Sequence, residues 1–125
     1  MIKVTIGDIT NSVAVFNKIT KESFSGSGAF KIARLIRELS KENDSYLATR
    51  LDIINKYADK DDNGETIVTD GTVHISPERM DECTNELAEL LKTEVELSVE
   101  LLELEYFDNT TITPDEAQVL LPFIK

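Results

Sequence analysis

The chain has 125 residues, 41% of them hydrophobic and 30% charged, which is enough apolar material for one domain with a buried core and too much for a disordered chain. Acidic residues outnumber basic ones 24 to 13, for a net charge of −11. A field of that sign repels nucleic acid and anionic membranes, favours basic partners and serves solubility.

The imbalance is uneven. Residues 1–75 hold 11 acids and 10 bases, whereas residues 76–125 hold 13 and 3. Cys83 is the single cysteine, so no intramolecular disulfide and no cysteine-based zinc site can form. That usage suits a reducing compartment. The opening MIKVTIGDIT lacks the charged-then-apolar pattern of a signal peptide. No apolar run approaches the ~18 residues that span a bilayer. A soluble intracellular protein with no cofactor and no membrane partner is expected.

Residues 2–6 (IKVTI) alternate and are β-branched, which predicts a short strand. Gly7 and Asp8 punctuate, and Asp8 or Thr10 could cap a helix over 9–21 with Ile9, Val13, Phe16 and Ile19 inward. Ser23 to Gly28 reads as a flexible link between two antiparallel helices. A phosphate-cradling role for it lacks the Walker spacing.

Residues 29–59 are the spine of the chain. Apolar side chains recur three or four apart at Ile32, Leu35, Ile36, Leu39, Tyr46, Leu47, Leu51, Ile54, Tyr57 and Ala58, with no Pro or Gly between them. The predicted helix is about 45 Å long, more than a small domain is wide. Its middle, Ser40 to Ser45, is wholly polar, so either the stripe is interrupted there or the helix bends. Lys31, Arg34, Arg37 and Lys41 form the one basic cluster, a solvated face or a dock for the acidic C-terminal half.

Asp59 to Asp70 (DKDDNGETIVTD) invites comparison with a calcium loop. Asp59, Asp61 and Asn63 take the first, third and fifth ligand positions, and Gly64 the sixth. Thr66 and Asp70 then break the pattern, and no helix follows at once. The favoured reading is a plain hairpin, with strands 65–68 and 72–75 around a Thr69-Asp70-Gly71 turn. His74 is expected to be a solvated strand residue.

Ser76-Pro77-Glu78 is a strong helix start and predicts a helix over 77–92 with Met80, Cys83, Leu87, Leu90 and Leu91 on its apolar stripe. On that stripe Cys83 is a core thiol rather than a nucleophile. Residues 94–101 alternate, with Val95, Leu97, Val99 and Leu101 on one side, which predicts a strand. A phase slip near Leu101 indicates a bulge or break, and a helix over 98–105 is the alternative. Asp108 to Thr111 reads as a turn. Thr113-Pro114-Asp115-Glu116 opens a last helix, 114–121, docked by Ala117, Leu120 and Leu121, and the tail Phe123-Ile124-Lys125 should tuck into the core.

These elements predict an α+β fold: a long central helix in a helical hairpin, a small antiparallel sheet of strands 2–6, 65–68, 72–75 and 94–101, and two further helices in the C-terminal half. Three segments, SGSGAFKIARLIREL (25–39), INKYADKDDNG (54–64) and NELAELLKTEVEL (85–97), together with the Leu-Leu-Pro-Phe-Ile end, resemble a family of small proteins of unknown function encoded by phages and prophages of Gram-positive bacteria. The resemblance implies phage origin and a small α+β fold, and it brings no catalytic residues. With the expected intracellular location, the host cytoplasm is the chain's place, and a virion component assembled there is equally allowed.

Three functions compete. The first is a non-enzymatic phage accessory protein, serving virion assembly or host takeover, that binds another protein or itself. Tyr46, Leu47, Leu51 and Ile54 exceed what a core of this size covers and would form the interface. The second is an acidic nucleic-acid mimic that inhibits a host defence or DNA-binding protein, with Glu94, Glu96, Glu100, Glu103 and Glu105 on one strand face and Glu86 and Glu89 nearby standing in for phosphates. Alternate strand residues lie about 6.5–7 Å apart, close to the phosphate spacing of one DNA strand. The third, metal-dependent hydrolysis at Asp59, Asp61 and Asp62, is the weakest, because one His and one Cys supply no acid–base–nucleophile set.

Overall fold

The computed structural model describes residues 1–22, 24 and 26–125, so the predicted link at Ser23 and Ser25 lies outside the described residues. The fold is α+β. In chain order it runs β1 (Ile2–Thr5), α1 (Ile6–Ile19), α2 (Gly26–Tyr57), β2 (Val68–Thr69), β3 (Thr72–Val73), α3 (Pro77–Lys92), β4 (Glu94–Leu97) and α4 (Pro114–Leu120). Leu104–Phe107 and Leu121–Phe123 are 3-10 turns.

The first helix starts directly off the first strand, three residues earlier than the sequence suggested. Thr5, not Asp8 or Thr10, is the N-cap. Its hydroxyl accepts from the Asp8 backbone N–H at 3.1 Å, and the Asp8 carboxylate accepts from the Thr5 N–H at 3.0 Å. Two orphan donors are satisfied reciprocally, so no linking loop is needed. Gly7 therefore sits inside the helix rather than in a turn. A Cβ there would lie 3.2 Å from the Leu91 carbonyl, so glycine lets the start of α1 approach the end of α3 closely.

α1 packs on α2, and also on α3 and α4. Ile9, Phe16 and Ile19 of α1 meet Ile32, Leu35 and Leu39 of α2 in the core, with Ile2, Val4 and Leu97 from the sheet. Phe123 closes the core from the C-terminus, edge-on to Phe16 at 5.6 Å between ring centres, so the tail does tuck in. Lys18 Nζ reaches Glu116 Oε1 at 2.8 Å and ties α1 to the start of α4, whose capping box joins Thr113 and Glu116.

The predicted four-stranded sheet is corrected to two separate antiparallel ribbons. β1 pairs with β4 in the register Ile2↔Leu97, Lys3↔Glu96, Val4↔Val95 and Thr5↔Glu94. This register puts Ile2, Val4, Val95 and Leu97 on the core face, and a one-residue slip would turn them outward. β2 pairs with β3 beyond the far end of α2. Its turn is the two residues Asp70 and Gly71, at φ 51° and 79°, because Thr69 pairs with Thr72 rather than joining the turn. Two successive positive φ angles match the twist of a tight hairpin, and the Asp-Gly pair tolerates them.

Strand β4 stops at Leu97, not at residue 101, and no helix over 98–105 replaces it. Leu102 instead bridges Ile124: the Leu102 N–H donates to the Phe123 carbonyl and the Lys125 N–H to the Leu102 carbonyl, each at 2.8 Å. Burying Leu102 against the tail takes the chain out of register with β1. Helix α3 has the predicted limits. The last helix ends at Leu120, one residue short of the predicted 121.

Candidate protein interface on the long helix

α2 is one unbroken helix of 32 residues, about 48 Å long. The polar stretch Ser40 to Ser45 neither ends nor divides it. Those side chains face solvent or a partly covered flank, where a polar residue is no obstacle to helical hydrogen bonding. The two halves nevertheless differ. Its buried residues are Gly28, Ile32, Leu35 and Leu39, all in the first half. From Ser40 to Tyr57 no residue of the helix is buried, a span of about 27 Å.

Leu47 and Leu51, one turn apart on the distal half, are 50% and 54% exposed. Tyr46 and Ile54 are half-buried. The other side of the distal half is occupied. Helix α3 lies against it, and Lys56, on the far side of the helix from the two leucines, bonds Glu86 at 3.0 Å. Lys56 first, and the Tyr57 hydroxyl after it, hold the Glu86 carboxyl below its ordinary range. Ala58 and Cys83 are buried where α2 ends and α3 begins. The stripe on α2 is thus wider than its cover.

The end of the spine is pinned by Asp59. Its carboxylate accepts from Ser76 Oγ at 2.6 Å and from the Arg79 guanidinium at 2.7 Å, and meets His74 Nδ1. The Ser76 hydrogen bond, then His74 and the Arg79 charge, hold its pKa below the ordinary value. The backbone closes the same junction: the Asp59 N–H donates to the His74 carbonyl at 2.8 Å, and the Ile67 N–H to the Asp59 carbonyl at 2.9 Å. Sequence reasoning missed this node. Ser76 is the N-cap of α3 as its place before Pro77 suggested, but its hydroxyl bonds Asp59 rather than the helix, and His74, expected as a solvated strand residue, lies just past β3. His74 is exposed as expected, but it is not free.

The node uses up the first residue of the calcium-like loop. Asp61 is also engaged, its Oδ1 accepting from the Asn63 and Glu65 N–H groups at 2.9 Å each. Asp70 forms the turn of the hairpin. Among the described residues no group of three or more His, Cys, Asp and Glu is placed to hold a metal ion.

The seven carboxylates of the mimic reading do not form one ribbon. Because β4 ends at Leu97, only Glu94 and Glu96 share its outer face, and Glu100, Glu103 and Glu105 follow on irregular backbone and a 3-10 turn. Five of the seven sit beside a lysine: Glu86 by Lys56, Glu89 by Lys92, Glu94 by Lys3, Glu100 by Lys31 and Glu103 by Lys125. The Lys31 contact, at 3.6 Å from Glu100, puts the basic flank of α2 against the acidic C-terminal half. Tyr106 and then Glu100 raise the Lys31 pKa.

One feature of α2 went unread in the sequence. Ala29, Ala33 and Ile36 recur at the same four-and-three spacing as Leu47, Leu51 and Ile54. With Phe24 and Ile32 they line a groove of about 360 Å³ beside the core. Among the described residues no helix is long and apolar enough to cross a membrane. Comparison with protein-family models, with curated proteins and with solved structures finds no match.

Proposed function

We propose that the chain is a non-enzymatic accessory protein that acts by binding another protein through the outer face of α2. The observation that supports this most directly is the half-exposure of Leu47 and Leu51 on a helical half with no buried residue. A leucine left in water forgoes about 1.5–3 kcal/mol of burial energy. Two of them in adjacent turns, with Ile54 next in line, form a ready anchor for a facing surface. The resemblance to phage and prophage proteins suggests the setting, virion assembly or host takeover inside a Gram-positive host.

The test places a photoreactive phenylalanine at position 51 and irradiates the chain in a Gram-positive host lysate. Covalent adducts that vanish when Leu47 is also replaced by glutamate support the reading. The absence of any adduct, with itself or with another protein, rejects it.

The acidic-mimic reading gains no comparable support. Its carboxylates are divided among helix α3, a short strand and the irregular chain after it, and most stand beside lysines.

A further inference from the structure

Resting on that reading, we infer that the partner is a second copy of this chain, docked antiparallel along α2 about a two-fold axis at the level of Glu42.

A two-fold interface requires self-complementarity: what one copy offers at a given distance on one side of the axis must fit what it offers at the same distance on the other. Leu51 lies nine residues after Glu42, and Ala33 nine residues before it. In the antiparallel pair the exposed leucine of each chain stands opposite the exposed alanine of the other. Leu47 then falls beside Ile36, and Ile54 beside Ala29, each level to within one residue's rise of about 1.5 Å. Two leucines stand at one end of the face, and at the other the alanines Ala29 and Ala33 form part of the wall of a groove of about 360 Å³. Small residues let helix axes approach, and leucine tips filling such a groove restore the packing of a protein interior.

Charge selects the same arrangement. α2 carries six bases and four acids, whereas the rest of the chain carries seven bases and twenty acids. Two copies of a −11 protein repel at most approaches, but not when they meet along α2. At about 100° per residue, Lys41 and Asp44 fall on the same flank of the stripe. Across the axis, Lys41 of each copy stands level with Asp44 of the other, again within about 1.5 Å. Among the described residues Lys41 pairs within the single chain with the half-buried Glu38, at 3.3 Å. The opposite side of α2 is taken by α1, by α3 and by the segment around Glu100, which leaves this face and the flank through Phe30, Arg34, Arg37 and Lys41 open to a partner.

The experiment uses the full chain in three forms. Light scattering of the native protein should give about twice the monomer mass of 14.0 kDa. Ala33→Cys and Leu51→Cys chains, made separately, mixed and oxidised, should link to each other in preference to themselves, while the buried Cys83 stays unreacted. Lys41→Asp should weaken dimerisation about tenfold, and Lys41→Asp/Asp44→Lys should restore it. Each variant keeps the core intact, so a loss of dimer is not a loss of fold.

A monomer at high concentration, or linkage of each cysteine variant only to itself, overturns the inference. If position 51 still photo-crosslinks to a different protein, the binding role of the face survives and only the identity of the partner is wrong. If nothing crosslinks, both fail.

Discussion

Replacing Leu35 and Leu51 by alanine, in separate chains, measures how far the core extends along α2. The residues share a helix, a side chain and a similar sequence context, and differ in cover: Leu35 is fully buried, whereas Leu51 is 54% exposed. Leu35→Ala removes a side chain packed in the main core and leaves a cavity, at a cost of about 3 kcal/mol. For a chain of this length that lowers Tm by about 12 °C. Leu51→Ala removes a side chain already half in water and should stay within about 0.5 kcal/mol, because alanine is also the better helix former. Urea titrations at low micromolar concentration and again at a hundredfold higher concentration give both values. The dilute sample reports the single chain. If Leu51 is an interface residue, its substitution costs stability only in the concentrated sample, where association adds to the native state. Equal, concentration-independent losses for the two variants would refute the division of α2 into a covered and an uncovered half.

Asp59→Asn should lower Tm at neutral pH, since it weakens the bonds to Ser76 and Arg79. The folded-state pKa of Asp59 lies below the reference value of 3.8, so its contribution is present above that pH and disappears as pH falls through the depressed folded value. The Tm gap between native and variant should therefore narrow on acidification from pH 5 to pH 2, and a gap that stays constant contradicts the role assigned to the node. Gly71→Ala meets no atom within 4 Å, so its cost comes from φ +79° alone and should be about 1 kcal/mol in urea unfolding. A neutral result would mean that the Asp-Gly turn is not held in this conformation. Cys83, 2% exposed, should react with a thiol reagent only as fast as the chain opens. Rapid labelling of the native protein would show that the contact between α2 and α3 does not persist in solution.

Much of the fold was legible because its signals are local. The Ser76-Pro77-Glu78 start set the beginning of α3, since proline fixes φ and lacks only a donor that the first helical turn does not use. The Thr113–Glu116 capping box marked α4, and the Asp70-Gly71 pair marked a hairpin, although one residue tighter than expected. The three-and-four spacing of α2 identified a long helix, and of the four residues it marked as surplus Leu47 and Leu51 are exposed while Tyr46 and Ile54 are half-buried. Thr5 was passed over as the cap of α1 because it completes a strand pattern, and a residue that ends one element and begins the next carries both signals at once.

Local pattern in the sequence placed the four helices to within a few residues at either end, and with them the start of α3, the α+β class and the apolar stripe on the distal half of α2. Tertiary structure decided the rest. It chose β4 as the partner of β1 and left β2 and β3 as a separate ribbon, because strand pairing joins residues far apart and no local pattern names the mate. It ended β4 at Leu97 by giving Leu102 a better place against the tail. It turned Asp59 from a possible ion ligand into the joint between α2, the hairpin and α3, and it set which face of α2 was covered. Covering depends on where α1 and α3 come to rest, and periodicity can show that a stripe is apolar without showing what lies on it.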